Sequence, residues 1–196
     1  NSLAGLKDTG EIQFSKITIL KAIGHAKLKN HYGLIDDLMK DEDKGLVTQA
    51  ILSAGNTMSP EFINKIAVFL NRENFKETAK AALLSYGPGI VDSFNEIIRN
   101  ESWPIDALHQ LPSIAEKIGT QPSVEMLFYL FDNNDISLKM EALRSLNNLK
   151  INHPQLRFHH KLVIVRILDE AHLYLETLAA LYAQITAIDQ RESVAA

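Results

Sequence analysis

The most constraining feature of this sequence is a nine-residue helix-like segment that recurs along the chain and ends in glycine. The glycines are Gly24, Gly55, Gly87 and Gly119, which lie 31, 32 and 32 residues apart, and a fifth segment ends at Lys150. Each unit of a repeat protein buries its apolar face mainly against its neighbours. The regular period therefore predicts stacked units of one supersecondary structure.

Apolar residues occupy fixed columns in these segments. The five copies read KITILKAIG, VTQAILSAG, AKAALLSYG, LPSIAEKIG and ALRSLNNLK. The columns four and one positions before the final residue are apolar in every copy. The column eight positions before it is apolar except at Lys16. Because spacings of three and four define one face of a helix, we predict five helices with a buried face, called here the second helices. We expect each glycine to be a left-handed C-terminal cap.

Further apolar stripes between these segments predict a first helix in each unit. They span residues 34–39, 62–70, 90–98 and 124–131. Polar stretches such as 132–135 separate the first helix from the second, as short turns between helices should. The sequence thus predicts repeated helix pairs.

Local signals predict where some helices begin. Ser59 before Pro60, and Asn74 three residues before Glu77, have the pattern of N-terminal caps. Pro112 interrupts the fourth second helix, where the lost hydrogen bond costs roughly 3 kcal/mol unless the helix kinks or restarts. We expect a bend at this proline.

A helix pair of this length, with an acidic or amide turn before the second helix and glycine after it, resembles the short variety of HEAT repeat. The stretch LFDNNDISLKMEALRSLNNL, residues 130–149, matches best, and the resemblance covers residues 11–150. It implies an all-α protein, a right-handed α-solenoid of HEAT-like helix pairs. The array would occupy residues 1–150, with about four and a half repeats.

Residues 151–196 are predicted to be a linker and a long C-terminal helix in the same domain. Apolar residues alternate spacings of four and three along this helix, at Ile164, Leu168, Ala171, Leu175, Leu178, Tyr182 and Ile185. We expect the helix to cap the apolar face of the last repeat, as the ends of solenoids require. The alternative is that its far half packs on a neighbouring domain or on a second copy of the chain.

The stretch 142–183 is also similar to the end of HEAT-repeat regions fused to nucleotide-transporter-like membrane proteins of the ATP/ADP carrier type. This resemblance implies a soluble regulatory or docking module of a larger membrane protein, with no transport residue in the chain. The start at Asn1 without methionine fits an excised fragment.

Composition argues against several classes of function. The net charge is −4 and lysine and arginine are not clustered, so we expect no nucleic-acid partner. Cysteine is absent, which excludes disulfides and thiolate metal sites and is compatible with the cytoplasm, including the cytoplasmic face of a membrane protein. The apolar run 162–165 is far shorter than the roughly 20 residues that cross a bilayer, so we expect no membrane span.

The sequence predicts no catalytic, cofactor-binding or metal-binding residue. His153, His159, His160 and His172 lack the spacing of paired ligands, because adjacent helical residues point about 100° apart. The stretch 87–89, Gly-Pro-Gly, lacks the lysine and further glycines of a phosphate-binding loop. We therefore expect a protein that is not an enzyme and that carries no cofactor.

Two polar columns, six and two positions before the end of each segment, predict a surface on the stacked second helices. We call it the polar strip; its members are Thr18, Gln49, Ser53, Ser85, Ser113, Lys117, Arg144 and Asn148. Such a strip can bind an extended peptide or a helix, although it can also be ordinary solvated surface. Trp103, the sole tryptophan, either packs at the junction of two repeats or contacts a partner directly.

These observations favour a non-catalytic protein–protein interaction scaffold or regulatory docking module within a larger protein. Its partner would be a protein, a peptide or another domain of the parent chain, and the oligomeric state stays open. One alternative is a HEAT-like enzyme of the DNA glycosylase or bilin lyase type. Such a glycosylase needs a cationic concave face, whereas the polar strip has only Lys117 and Arg144 as cations. A purely structural domain is the other alternative.

Overall fold

The structure, a computed structural model, describes residues 10–100, 103–158 and 160–195. Over these residues the chain forms α-helices joined by short 3-10 helices, turns and loops, and contains no strand. The all-α fold class is therefore confirmed. The chain divides into two compact units, Asn1–Leu156 and Arg157–Ala196.

The first unit alternates the two kinds of predicted helix. The second helices are α1 (Gly10–Ala26), α3 (Lys44–Thr57), α5 (Lys76–Leu84), α8 (Leu111–Ile118) and α10 (Ile136–Asn152). The first helices are α2 (Tyr32–Leu38), α4 (Ile63–Ala67), α6 (Ile90–Arg99) and α9 (Gln121–Phe131). A short helix, α7 (Ile105–Leu108), precedes α8, and 3-10 helices occupy Lys29–His31, Pro60–Phe62 and Val68–Asn71.

Each second helix packs against the second helix of the next repeat. Helix α1 contacts α3, α3 contacts α5, α5 contacts α8, and α8 contacts α10. First helices pack on second helices in the pairs α2 with α3, α4 with α5, and α9 with α10. This order of contacts follows the order of the chain, so most of the packing is between sequence neighbours.

The apolar columns supply the core of this packing. The column four before the segment end is buried in all five copies, at Leu20, Ile51, Leu83, Ala115 and Leu146. In the column one before it, Tyr86 and Ile118 are half-buried and the other three are buried. Even Lys16, the polar exception in the third column, is only 6% exposed. The predicted buried face of the second helices is confirmed.

The expected glycine caps are wrong for the first two repeats. Gly24 and Gly55 lie inside α1 and α3, not after them. A Cβ on Gly24 would lie 2.8 Å from the carbonyl oxygen of Ser53, and one on Gly55 would lie 2.5 Å from that of Ala82. These glycines are needed because the backbones of consecutive second helices approach closely there.

The cap prediction is confirmed for Gly119 but not for Gly87, which is left-handed yet follows Ser85, the C-cap of α5. Gly87 and Gly119 have φ of +70° and +66°, a left-handed conformation that strains other residues. Gly119 is the C-cap residue of α8, and its N–H donates to the carbonyl oxygen of Ala115. One sequence column therefore satisfies two different physical requirements.

Acidic residues in the predicted turns cap the helices that follow. Asp43 accepts a hydrogen bond from the N–H of Leu46 at 2.9 Å, and its own N–H donates to Asp41 at 2.9 Å. Asp135 at the start of α10 repeats this pair of bonds, with Asn133 in place of Asp41. Each N-cap satisfies a backbone donor that the helix leaves unpaired.

The two caps predicted from serine and asparagine are wrong. Ser59 precedes a 3-10 helix and its hydroxyl makes no capping bond. Helix α5 begins at Lys76 with Phe75 as its N-cap, so Asn74 and Glu77 are not placed as a capping box. At this helix start the N–H groups of Phe75 and Lys76 both donate to the carbonyl oxygen of Arg72.

The expected bend at Pro112 is replaced by a new helix start. Helix α7 ends at Leu108, α8 begins at Leu111, and Pro112 lies in the first turn of α8. In that position the missing proline N–H removes no helical hydrogen bond. The proline thus shortens the fourth second helix to 8 residues.

The second unit consists mainly of one helix, α11 (His160–Ala195), of 36 residues. Its predicted apolar seam is exposed at Ile164, Leu168, Leu175, Leu178, Tyr182 and Ile185. The long helix is as expected, while its role as a cap stays a prediction. His159 lies outside the described residues.

Candidate functional site

The predicted polar-strip residues lie in, or directly after, the five second helices. Thr18, Lys117 and Arg144 are exposed, while Gln49, Ser85, Ser113 and Asn148 are half-buried. Because consecutive second helices are in contact, strip residues of neighbouring repeats lie on neighbouring helices. Seven of the eight predicted strip residues therefore reach solvent.

Ser53 is the exception, and its prediction as a surface residue is wrong. It is fully buried, and its backbone and Cβ lie against Gly24. Its hydroxyl oxygen accepts a hydrogen bond from Nε2 of Gln49 at 3.1 Å. A small residue is needed here because α1 and α3 approach so closely.

The other hydroxyls of the strip bond to their own helices. Thr18, Ser85 and Ser113 each donate to a main-chain carbonyl oxygen about one turn earlier, at 2.9, 3.1 and 2.9 Å. A hydroxyl that donates in this way keeps its oxygen lone pairs as acceptors. These positions can therefore accept N–H groups from a bound segment without losing their own bonds.

A cavity of about 220 Å³ opens where the strip passes from the third repeat to the fifth. We call it the polar groove; its lining includes Lys80, His109, Ser113, Glu116, Glu141 and Arg144. Two of these residues belong to the polar strip. Lysine and arginine line the groove together with two glutamates, so the groove presents both signs of charge.

His109 connects two elements of the polar groove. Its Nδ1 lies 3.0 Å from Oε2 of Glu141, and its Nε2 lies 3.4 Å from Oδ1 of Asp135. The side chain is only 18% exposed. Since Asp135 is the N-cap of α10, His109 ties the segment before α8 to the first turn of α10.

Sequence reasoning missed His109, although a signal for it exists. His109 and Glu141 are separated by 32 residues, and so are Glu116 and Asn148, whose Nδ2 donates to Oε1 at 3.1 Å. Gln13 and Asp43, 30 residues apart, form a similar bond at 2.6 Å. Complementary polar residues one repeat apart are therefore candidates for contact between stacked units.

The side chains of the polar groove can both donate and accept hydrogen bonds. The two carboxylates beside His109 approach different ring nitrogens, so the three side chains do not converge on a common point. In the described residues no three or more histidine and acidic side chains are placed to hold a metal ion. The same residues include no helix both long and apolar enough to cross a bilayer.

Trp103 packs inside the first unit. It is 7% exposed, and its Nε1 donates to Oδ1 of Asn64 at 2.8 Å. Its ring meets that of Phe94 edge-on, with centroids 5.8 Å apart. The tryptophan thus joins the fourth helix to the sixth, which agrees with its interpretation as a packing residue.

A scan against protein-family models finds no match to this chain, and a search of the curated proteins finds none either. The similarity to HEAT repeats therefore rests on the residues described above.

Proposed function

We propose that the first unit is a right-handed α-solenoid of HEAT-like helix pairs that binds a segment of another protein along its polar strip. The observation that supports this proposal best is the contact of each second helix with the next. In a solenoid that order places corresponding positions of successive repeats side by side. The strip then forms one continuous binding surface.

Recognition would use the polar groove as its most specific part. Lys80 and Arg144 offer donors to carbonyl or carboxylate oxygens, while Glu116 and Glu141 accept N–H groups. The contacts His109–Glu141 and Asn148–Glu116 hold the carboxylates in place before a partner arrives. Groups fixed in advance lose less entropy on binding.

The proposal is tested by substituting three strip residues together. Partners would be identified by crosslinking and co-purification, and then titrated calorimetrically with the variant Gln49→Ala, Ser85→Ala, Arg144→Ala. We expect affinity to fall about tenfold or more, which corresponds to about 1.4 kcal/mol. The matched control replaces exposed residues of the first helices: Asp92→Ala, Glu96→Ala and Glu125→Ala. Equal affinity for the strip variant and the parent chain would remove the assignment.

The enzyme alternative is tested separately with nucleic acid. The polar groove balances two cations against two glutamates, so phosphate contacts would gain little there. We expect no binding of duplex DNA in a titration at low salt. Salt-sensitive binding that Arg144→Ala abolishes would favour the glycosylase alternative.

We further propose that the chain is a docking module of a longer cytoplasmic or membrane-bound protein. The similarity of residues 142–183 to HEAT regions fused to carrier-type transporters supports this proposal. The encoded sequence on both sides of Asn1 and Ala196 tests it directly. A longer reading frame is expected, and membrane spans within it would assign the module to a membrane protein.

A further inference from the structure

A second surface lies on the first helices, formed by α2, α4 and the 3-10 helix after α4. Its cavity measures about 230 Å³. Met39, Val68 and Phe69 form an apolar floor, and Lys40, Lys65 and Arg72 line its rim. We call this surface the basic groove.

Within the floor, Val68 is the residue that exposes apolar surface to solvent. Met39 and Phe69 are nearly buried, at 4% and 5% exposure, whereas Val68 is 57% exposed. Val68 follows the end of α4 and begins the 3-10 helix Val68–Asn71. A bound apolar side chain would therefore remove Val68 from water while the rest of the floor is already packed.

The rim carries more positive than negative charge. Asp36 is the acidic residue of the lining; its Oδ1 lies 2.9 Å from Nζ of Lys65 and its Oδ2 lies 3.0 Å from Nζ of Lys40. One carboxylate is thus shared between two lysines. The third cation, Arg72, lies over the ring of Phe69 with Cζ 4.8 Å from its centroid.

Arg72 is suited to bind a carboxylate. Contact with an aromatic face leaves the edge of a guanidinium group, with its N–H donors, free to form the paired bonds that carboxylates accept. Three cations and one carboxylate give the lining a net positive charge, in a chain whose net charge is −4. The local charge therefore attracts ligands that the rest of the molecule repels.

We propose that the basic groove binds an acidic peptide segment of a partner protein, with a bulky apolar side chain of that segment placed over Val68. The charge of the rim selects the acidic residues, and the floor receives the apolar one. This site is distinct from the polar strip, because it lies on α2 and α4 and not on the second helices.

The groove continues beyond Val68. A neighbouring cavity of about 360 Å³ is lined by Val68, Asn64, Asn71 and Trp103, among others. Side-chain amides can bond both the N–H and the carbonyl of an extended backbone. A peptide that crosses Val68 would thus meet cations on one side and amides on the other. The two orientations of the bound peptide are therefore not equivalent.

Fluorescence anisotropy with three labelled ten-residue peptides tests the proposal. Each has a central Leu-Phe pair, flanked by glutamates in the first, by glutamines in the second and by lysines in the third. We expect the glutamate peptide to bind at least about tenfold more tightly than the glutamine peptide, and the lysine peptide not to bind. Equal affinity for all three, or no binding of the glutamate peptide, would overturn the proposal.

Two variants locate the site. Arg72→Glu reverses the charge of the one cation of the rim that does not pair with Asp36. Val68→Asp places a negative charge at the exposed position of the floor. Each variant should bind the glutamate peptide about tenfold or more weakly than the parent chain does. The matched controls are Lys21→Glu and Met140→Asp, exposed positions of α1 and α10 outside both proposed binding surfaces, which should leave affinity unchanged. Equal weakening by the controls would place binding elsewhere and contradict the assignment.

Thermal unfolding of each variant checks that it folds as the parent chain does. Sedimentation with phosphatidylserine vesicles separates a peptide site from a lipid site. Vesicle binding that Arg72→Glu abolishes, together with no binding of the glutamate peptide, would assign the groove to anionic headgroups and overturn the peptide proposal.

Discussion

Gly55→Ala tests whether α3 and α5 are in direct backbone contact. The added Cβ would lie 2.5 Å from the carbonyl oxygen and 2.7 Å from Cα of Ala82. The first distance is about 0.9 Å short of the 3.4 Å at which ordinary van der Waals contact begins. Both contacted atoms are backbone, so rotation of a side chain cannot relieve the overlap.

Two effects of opposite sign compete in this substitution. Alanine in the middle of a helix is favoured over glycine by about 1 kcal/mol. Against this, α3 and α5 must move apart to relieve the overlap, and a gap of ~0.5–1 Å forfeits a quarter to a half of the attraction of each facing atom pair. Overpacked cores lose about 1–3 kcal/mol of stability. Because α3 and α5 both carry fully buried residues, Ile51 and Leu83 among them, we expect the cost of overpacking to prevail and the substitution to destabilise the fold.

Thermal unfolding followed by fluorescence is the assay, because the single, buried Trp103 reports on the first unit. Overpacking exceeds the gain from alanine by up to about 2 kcal/mol. At about 2–4 °C per kcal/mol for a chain of this size, we expect Gly55→Ala to lower Tm by up to roughly 8 °C. Gly33→Ala is the control: Gly33 is an exposed residue of α2, with nothing within 4 Å of an added Cβ. That change should raise Tm by a few degrees. An increase for Gly55→Ala as large as that of Gly33→Ala would refute the close approach of the two helices.

Other predictions concern caps and polar contacts. Asp43→Ala removes the N-cap of α3 and should cost about 1 kcal/mol in urea unfolding, whereas Asp43→Asn, which can still cap, should cost less. Tyr86→Phe removes the 2.7 Å bond that its hydroxyl donates to the Ser59 carbonyl and should cost about 1 kcal/mol; no loss of stability would mean that this bond does not form. Bonds from Lys65 and Lys40 lower the pKa of Asp36, and the backbone N–H of Leu46 lowers that of Asp43. A lowered pKa in the folded state gives stability that is present above the unfolded value of about 4 and is lost as pH falls through the folded values. Urea unfolding should therefore show stability falling below about pH 4, with a shallower slope in Asp36→Asn; an unchanged slope would contradict the pairing.

The sequence was a good guide where one periodic pattern had one physical cause. Apolar columns of the second helices predicted burial at Leu20, Ile51 and Leu83. Apolar side chains repeated at helical spacing lie on one face of the helix, and that face packs into the core. The alternation of helix pairs and the all-α class followed from the same pattern. Element starts marked by acidic turns were also placed correctly.

The sequence was a poor guide where one residue type can meet different needs. Glycine is required both for positive φ and for close backbone approach, and only the neighbouring helix distinguishes Gly55 from Gly119. Likewise, Ser53 has the polar character of a surface residue, yet its small size fits it to the buried contact with Gly24. His109 was missed because its two partners come from the following repeat.

The central claim is that the second helices stack in chain order, since the polar strip exists only in that arrangement. The chain contains no cysteine, so Thr18→Cys would carry a single spin label on the exposed face of α1. Paramagnetic broadening of amide resonances then reports which helices lie near α1. We predict strong broadening in α3 and none in α10. Strong broadening in α10 would mean a compact bundle and would contradict the stacked array together with the function proposed for it.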